Sequence, residues 1–507
     1  MAIQGSDAGG ARTGDLPAAR YTDGYKRMVL GLLLAAYTFN FIDRTIIATI
    51  GQAIKVDLKI DDTQLGLLGG LYFALLYTLL GIPIARLAER YSRVNIIAAS
   101  IVIWSGFTAL CGTATSFVQL ALYRFGVGVG EAGCSPPAHS LISDYFEPKK
   151  RASALAVYSF GIPLGTMFGA VVGGWLAQNF SWRVAFMIVG LPGILIAILI
   201  KLLMKEPPRG HSDAPRTAAP AAEAPSAPAS KGLAGEFSEI WAVTKILFGK
   251  PAVLHVVLGV TLASFASYGS GHFTPPHFIR NFGIGLAQVG LVVGLISGVA
   301  AGLGTLGGGF LSDRLARRSV RWYALTPAIG LGLSAPLYLI AFNQQSWQAT
   351  ALWLLVPGVL HYSYLAPTFG VIQNMVDVRR RATATAILFF FLNLIGLGGG
   401  PPFTGWVIDH MAAFHWSHPG QGAFAALGGL FSADLASFKA ACPGGLAPAG
   451  ASAEAAALCK TAVGSATRHG ILVTVCIYLW AALHYALASF GIVRELTSAR
   501  AARGETL

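Results

Sequence analysis

Asp43 and Arg44 put two opposite charges side by side inside a long apolar run, residues 27–50, and Arg124 and Glu131 put two more inside another, residues 117–140. Even permissive insertion scales charge ~2.5–3.5 kcal/mol for such an ion at mid-span, so each needs a protein partner or a watery cavity. The chemistry on offer is anion recognition by guanidinium groups, which stay charged, and proton carriage by carboxyl groups, which need not. Arg124 and Glu131, seven residues apart, lie near one helix face with ~10.5 Å of rise between them. They share a surface without touching. Asp43 and Arg44, as neighbours, diverge by ~100°. Asp43 is therefore expected to neutralise Arg124, while Arg44 leans toward Glu131 or a bound anion. Glu131 is the better proton carrier of the two acids, because Asp43 has the closer cation. A cluster that only fixes helix assembly is the competing reading.

The rest of the chain must hold these groups in a bilayer. With 54% hydrophobic and 12% charged residues over 507 positions, the composition is that of an all-α polytopic membrane protein. Twelve runs reach spanning length, at 27–50, 63–85, 94–114, 117–140, 152–178, 183–204, 250–279, 286–311, 320–343, 346–374, 382–411 and 468–494. The net charge of +13 does not point to nucleic acid. Most of the 36 Lys and Arg fall on one side when both termini are cytoplasmic, as the positive-inside rule requires, and the anionic inner leaflet is their partner. Residues 1–26 form a polar cytoplasmic tail without a signal-peptide pattern. The Ala/Gly/Arg-rich composition points to a bacterial inner membrane.

The Pro/Ala/Ser-rich stretch 205–249 reads as a cytoplasmic linker between six-helix halves, 27–204 and 250–494, with 495–507 as a second cytoplasmic tail. The halves repeat one another. ARLAERYSR at 85–93 matches GFLSDRLAR at 309–317, and EPKKRASA at 147–154 matches DVRRRATA at 377–384. The helix after each second signature is rich in glycine, with Gly161, Gly165, Gly169, Gly173 and Gly174 in one and Gly396, Gly398, Gly399, Gly400 and Gly405 in the other, which lets neighbours approach closely. Glu89, Arg90, Arg93 and Arg151 in the first half, and Asp313, Arg314 and Arg381 in the second, are candidates for a cytoplasmic gate between rocking halves.

The second half has no comparable acid–base group at mid-depth. It offers Tyr268, His272, His361, Tyr362, Tyr364 and Asn393 as cavity-lining candidates, each with ordinary packing as the alternative. Charge on one wall and aromatic groups on the other suit an amphipathic molecule. The outer loop 412–467 reads as a lid or as a disordered insertion, and its apolar middle, 423–432, is too short to span. Cys442 and Cys459 in that loop are placed to form a disulfide in an oxidising compartment. No zinc-type ligand spacing, no phosphate-binding Gly-x4-Gly-Lys-Ser/Thr loop and no nucleophile with an oriented base occurs, so no metal, no cofactor and no enzymatic activity is expected. A proton gradient is the energy source that the acids could use.

The paired loops at 85–93 and 309–317 resemble the signature of the major facilitator superfamily, with Glu89 for the common Asp, and Ser92 and Ala316 for the common Gly. Within it, NFIDRT at 40–45, RFGVGVGEAGCSPPAHSLISDYF at 124–146 and EPPRG at 206–210 resemble the Spinster family of lipid transporters. This closer likeness is concentrated in the first half. It implies the major facilitator fold of 12 transmembrane helices in two six-helix halves, the same gate, and alternating-access transport of a sphingolipid or lysophospholipid by a monomer among membrane lipids. The organic anion:cation symporters, which also tend to carry an Asp–Arg pair in the first helix, are the alternative family. A lipid-binding receptor and an intramembrane lipid enzyme are the alternatives of other classes.

Overall fold

The computed structural model describes residues 21–209, 211–212, 232–377 and 380–501; most of the expected N-terminal tail, the middle of the linker at 213–231 and the last six residues lie outside the described residues. The first half comprises α1 (Asp23–Leu58), α2 (Asp62–Gly69), α3 (Leu71–Arg90), α4 (Arg93–Cys111), α5 (Phe117–Glu131), α6 (Ser135–Tyr145), α7 (Pro148–Ser159), α8 (Gly161–Asn179) and α9 (Trp182–Leu203). After α10 (Gly232–Phe248) the second half runs through α11 (Pro251–Phe282), α12 (Leu286–Ala316), α13 (Trp322–Phe342), α14 (Trp347–Tyr362), α15 (Leu365–Asn374), α16 (Arg381–Phe391), α17 (Gly398–Ser417), two short helices α18 (Ala423–Gly428) and α19 (Leu435–Ala441), and α20 (Ala453–Ala501). Among the described residues there is helix and no strand, and 11 helical segments are long and apolar enough to cross a membrane. The fourth expected span falls outside that set because it is divided between α5 and α6.

Local sequence explains the starts and breaks. Asp61 caps α2 in a reciprocal box with Gln64, and Ser92, Ser116, Ser181 and Ser346 cap α4, α5, α9 and α14. The α5–α6 break falls directly after Glu131, where prolines open α6. Between α16 and α17 the chain forms a π-helical turn, Leu392–Leu397, ahead of Pro401 and Pro402, a distortion common at functional sites. Two boundaries differ from the hydropathy reading. Helix α17 runs on to Ser417 and α20 begins at Ala453, so both ends of the expected loop 412–467 are helical. Hydropathy falls there while the helix propensity of the Ala-rich run 453–462 does not.

Glycine sets the packing between helices. A Cβ on Gly165 would lie 2.4 Å from the Thr38 carbonyl of α1, and one on Gly400 would lie 2.3 Å from the Phe265 carbonyl of α11. The halves meet the same way, at one end. Gly290 of α12 has the Ala170 carbonyl of α8 at 2.2 Å from its would-be Cβ, Gly294 has Met167 at 2.9 Å, Gly298 has Met167 at 3.5 Å, and Gly302, on the same face, has nothing within 4 Å. Helices α8 and α12 therefore diverge along their length. The end where they touch also carries the Cys442–Cys459 bridge and is called here the disulfide end; the opposite end, with Glu89 and Asp313, is the basic end.

On the other side of the interface, Gly66 of α2 meets Pro401 of α17, with 2.3 Å to its carbonyl. Gly66→Ala should therefore disfavour closure of the disulfide end by about 1–3 kcal/mol. Spin-label distances across that end are expected to lengthen in the variant; an unchanged distribution would count against this packing.

Candidate functional site

Arg44 lies mid-way along α1 and Glu131 ends α5, and their side chains meet at 2.6 Å, from Nε to Oε2. Glu131 is fully buried, while the Arg44 side chain keeps 15% exposure although it sits at mid-helix. The rings of Phe41, Phe73 and Tyr77 surround the Arg44 guanidinium at 4.9, 5.0 and 4.5 Å. This cage holds a cation through the ring quadrupoles. Tyr37 stacks on Tyr158 at 4.3 Å alongside. Asn40, one turn before Arg44, is buried beside the Glu131 carboxylate.

The expected Asp43–Arg124 pair does not form. Asp43 accepts a hydrogen bond from Thr108 of α4 at 3.2 Å, and its other oxygen has no partner among the described residues. Arg124 donates from Nε to the Leu68 carbonyl at 3.1 Å and packs over Phe73, and one terminal nitrogen has no partner among the described residues. Leu68 belongs to the last turn of α2, whose carbonyls lack helical partners, so the α2–α3 break supplies the acceptor that Asp43 was expected to be.

The second-half candidates separate by exposure. Tyr268, mid-way along α11, is 40% exposed and within electrostatic reach of Arg44 and Tyr77, which places it against the space between the halves. Tyr362 is half-buried, and Asn393 sits in the π-helical turn, donating to the Phe389 carbonyl at 2.9 Å. His361 is buried and bonded to Tyr338 and Ser267, Tyr364 is buried beside Ser264, and His272 is wedged against Gly69 of the first half. These last three are packing groups in this arrangement.

A cluster that the sequence did not suggest closes the disulfide end. Asp62 takes Lys55 at 2.6 Å and a two-pronged contact from Arg280 at 2.6 and 3.0 Å, and Arg280 also donates to Gln52 and Thr467. Asp409 of α17 accepts the Asp62 and Thr63 backbone N–H groups at 2.9 and 2.8 Å, capping α2 from the other half. Asp61 pairs with Lys439 of α19 at 2.7 Å, and Cys442 and Cys459 are joined. The available signal was one acid, Asp409, in the apolar eleventh span and one Arg, Arg280, closing the seventh.

The gate candidates sort into two groups. Arg93 is buried within the first half, bonded to Asp144, to Glu206 at 2.6 Å, to Ser140 and to the Pro207 carbonyl, which makes it a tie between helices of one half. Arg151 and Arg381 do the same job in the two repeats, each donating from Nε to the carbonyl eight residues earlier, Ser143 and Gln373. Glu89 pairs at 3.5 Å with Arg86 of its own helix, Asp313 accepts from Tyr323, and Arg90 and Arg314 are exposed. In this arrangement the two repeated acids are occupied within their own halves.

Residues 33–329 match the model of the Major Facilitator Superfamily. The chain belongs to that superfamily. An MFS-type efflux pump of Mycolicibacterium smegmatis is 34% identical over 382 residues, 75% of this chain and 84% of that protein. The hexuronate transporter of Bacillus subtilis is 26% identical over 80% of this chain and 92% of its own. The crystal structure of a bacterial homolog to the human lysosomal transporter Spinster, inward-facing and occupied, superposes with a TM-score of 0.78 at 34% identity, over 94% of this chain and 99% of that one. The chain is thus a polytopic transporter of the superfamily, with a Spinster-like fold, and its class is generally not enzymatic.

Two outcomes follow from the end networks. Asp62→Asn leaves Lys55 and Arg280 buried without their carboxylate, a change that costs about 3–5 kcal/mol in comparable sites. It should open the disulfide end, so that cysteines introduced near Gln52 react faster with a polar thiol reagent; unchanged reactivity would contradict this. Partial burial pushes the Glu206 carboxyl up, but hydrogen bonds from the Val94 N–H, Arg93 and Ser92 outweigh it and hold the group below its ordinary 4.5. A carboxyl so held stabilises the fold above its unfolded value, and the contribution is lost as pH falls through the lowered one. Glu206→Gln should therefore lower the melting temperature at neutral pH, with the deficit shrinking as pH falls below the ordinary carboxyl value of 4.5. A deficit that is constant with pH would exclude the charged network.

Proposed function

We propose that this protein moves an amphipathic, anionic lipid of the sphingolipid or lysophospholipid class by alternating access, with a proton exchanged at Glu131. The observation that carries the reading is the Arg44–Glu131 pair, in which Glu131 is fully buried while Arg44, ringed by aromatic side chains, keeps partial exposure at mid-helix. Glu131 can hold Arg44 or a proton. Protonating it dissolves the 2.6 Å contact and frees the guanidinium to bind an anionic headgroup, and loss of the proton reverses the exchange. Tyr268, Tyr362 and Asn393 form the facing wall, and the Phe389–Phe391 run offers apolar surface for a tail. The lipid class is the one that the Spinster resemblance implies, and a Spinster homolog superposes over nearly the whole chain.

In this reading the halves 27–204 and 250–494 rock about that site in a monomer, the basic end and both termini face the cytoplasm, and the membrane is a bacterial inner membrane. The outer side is then closed by the Asp62 cluster, and Glu89 and Asp313 become gate partners only when the basic end shuts. The hexuronate transporter among the relatives supports a second reading, a small organic anion as cargo.

Proteoliposome flux separates the two. With lysophospholipid and hexuronate tested side by side, only the lipid should move, and an imposed pH gradient should drive it. Glu131→Gln should retain exchange but lose the gradient response, Arg44→Ala should lose binding at every pH, and Asp43→Asn should do neither. Gradient-driven accumulation by Glu131→Gln would remove the proton role, and flux of hexuronate alone would replace the substrate class.

A further inference from the structure

The cap between α17 and α20 has one apolar face that the described residues leave largely uncovered. Residues 419–433 contain no charged side chain, and the chain there turns back on α17 instead of rising from it. Its inner face is fixed: Ala426 and Leu430 are buried, and Gly429 lies so close to the Phe414 ring of α17 that a Cβ would fall 2.3 Å from it. Its outer face is not. Phe424 is 93% exposed and Leu427 46%, three residues apart on one side of α18, and Phe431, in the turn that follows it, is 86% exposed.

The level of this face follows from Trp406. The Phe431 ring lies 5.7 Å from the Trp406 ring, which stacks in turn near His410 at 4.5 Å. Trp406 belongs to a membrane-crossing helix and precedes its end, Ser417, by eleven residues, or about 16 Å of rise. The cap therefore descends beside α17 to a ring cluster of the type that lines membrane–water boundaries. Charge resumes at Asp434, and Lys439 then reaches Asp61 of the other half.

We propose that residues 423–431 are an interfacial foot, in which Phe424, Leu427 and Phe431 insert into the headgroup–acyl boundary of the leaflet at the disulfide end. The occupant is lipid because the face continues, through the Phe431–Trp406 ring contact, onto a helix long and apolar enough to cross a membrane, and carries no charge that a protein partner would pair. An apolar face of this size gains free energy on leaving water, and a boundary-level position supplies that without a spanning helix. The foot links the bilayer, through the disulfide-bonded cap, to the Lys439–Asp61 contact between the halves.

Nitroxide labels test this in the full chain reconstituted in phosphatidylcholine vesicles. In a Cys476→Ser background, which removes the one exposed free cysteine among the described residues, Phe424→Cys and Phe431→Cys are labelled, with Ala451→Cys, an exposed position of the same cap, as reference. Collision with oxygen relative to a water-soluble nickel chelate should be several-fold higher at 424 and 431 than at 451. Chelate access equal to that at 451 would place the foot in water and overturn the proposal. Shielding of both positions from oxygen and chelate alike would mean that protein covers the face, and would overturn it equally.

Discussion

A guanidinium and a carboxylate held 2.6 Å apart inside a membrane protein can only be separated if something else takes each charge. Removing one member of such a pair leaves an uncompensated buried ion, at a cost of about 3–5 kcal/mol. The first half is organised around that constraint at Arg44 and Glu131. Glycines at 165 and 169 bring α8 against α1, Gly128 brings α5 against Phe73 of α3, and the helix breaks directly after Glu131. Aromatic rings fill the space that water would otherwise enter. The charges that can enter without leaving an orphan are a proton on the acid and an anion on the base, and the proposed transport cycle uses both.

The two ends of the molecule solve the same electrostatic problem differently. At the disulfide end, Lys55, Arg280, Asp62 and Asp409 sum to zero across the boundary between the halves, so the end is closed by groups that neither half could bury alone. At the basic end, Arg93 binds Asp144 of the first half and Glu206 at the start of the linker, with no partner from the second half among the described residues. An end whose ions are satisfied internally can part from its counterpart without stranding a charge. The end that shares ions cannot, which accounts for the direction in which α8 and α12 diverge.

Much of this was legible in the residues. Hydropathy located the spans, the duplicated basic loops revealed the two halves, and Arg151 and Arg381 turn out to make equivalent bonds. The Arg44–Glu131 contact was one of the two options that spacing and depth left for Arg44, the other being a bound anion, and the pairing of Cys442 with Cys459 followed from their shared loop. Depth along a helix is one-dimensional and readable; azimuth is not. That is why Asp43 was assigned to Arg124 when it faces Thr108, and why the break at Gly70, beside which the buried Leu68 carbonyl holds Arg124, went unused. The Asp62 cluster was hidden for a different reason. Asp62 and Asp409 are 347 positions apart, and each alone reads as an ordinary helix-end charge.

If proton and substrate are exchanged at one ion pair, lipid binding is linked to proton uptake, and the protons taken up on binding can be counted. In weakly buffered detergent near neutral pH, adding a lysophospholipid to the protein should draw a proton from solution as Glu131 gives up Arg44, and Glu131→Gln should bind the lipid without that uptake. Binding with no proton taken up by the unaltered protein, or with the same uptake by Glu131→Gln, would contradict the account.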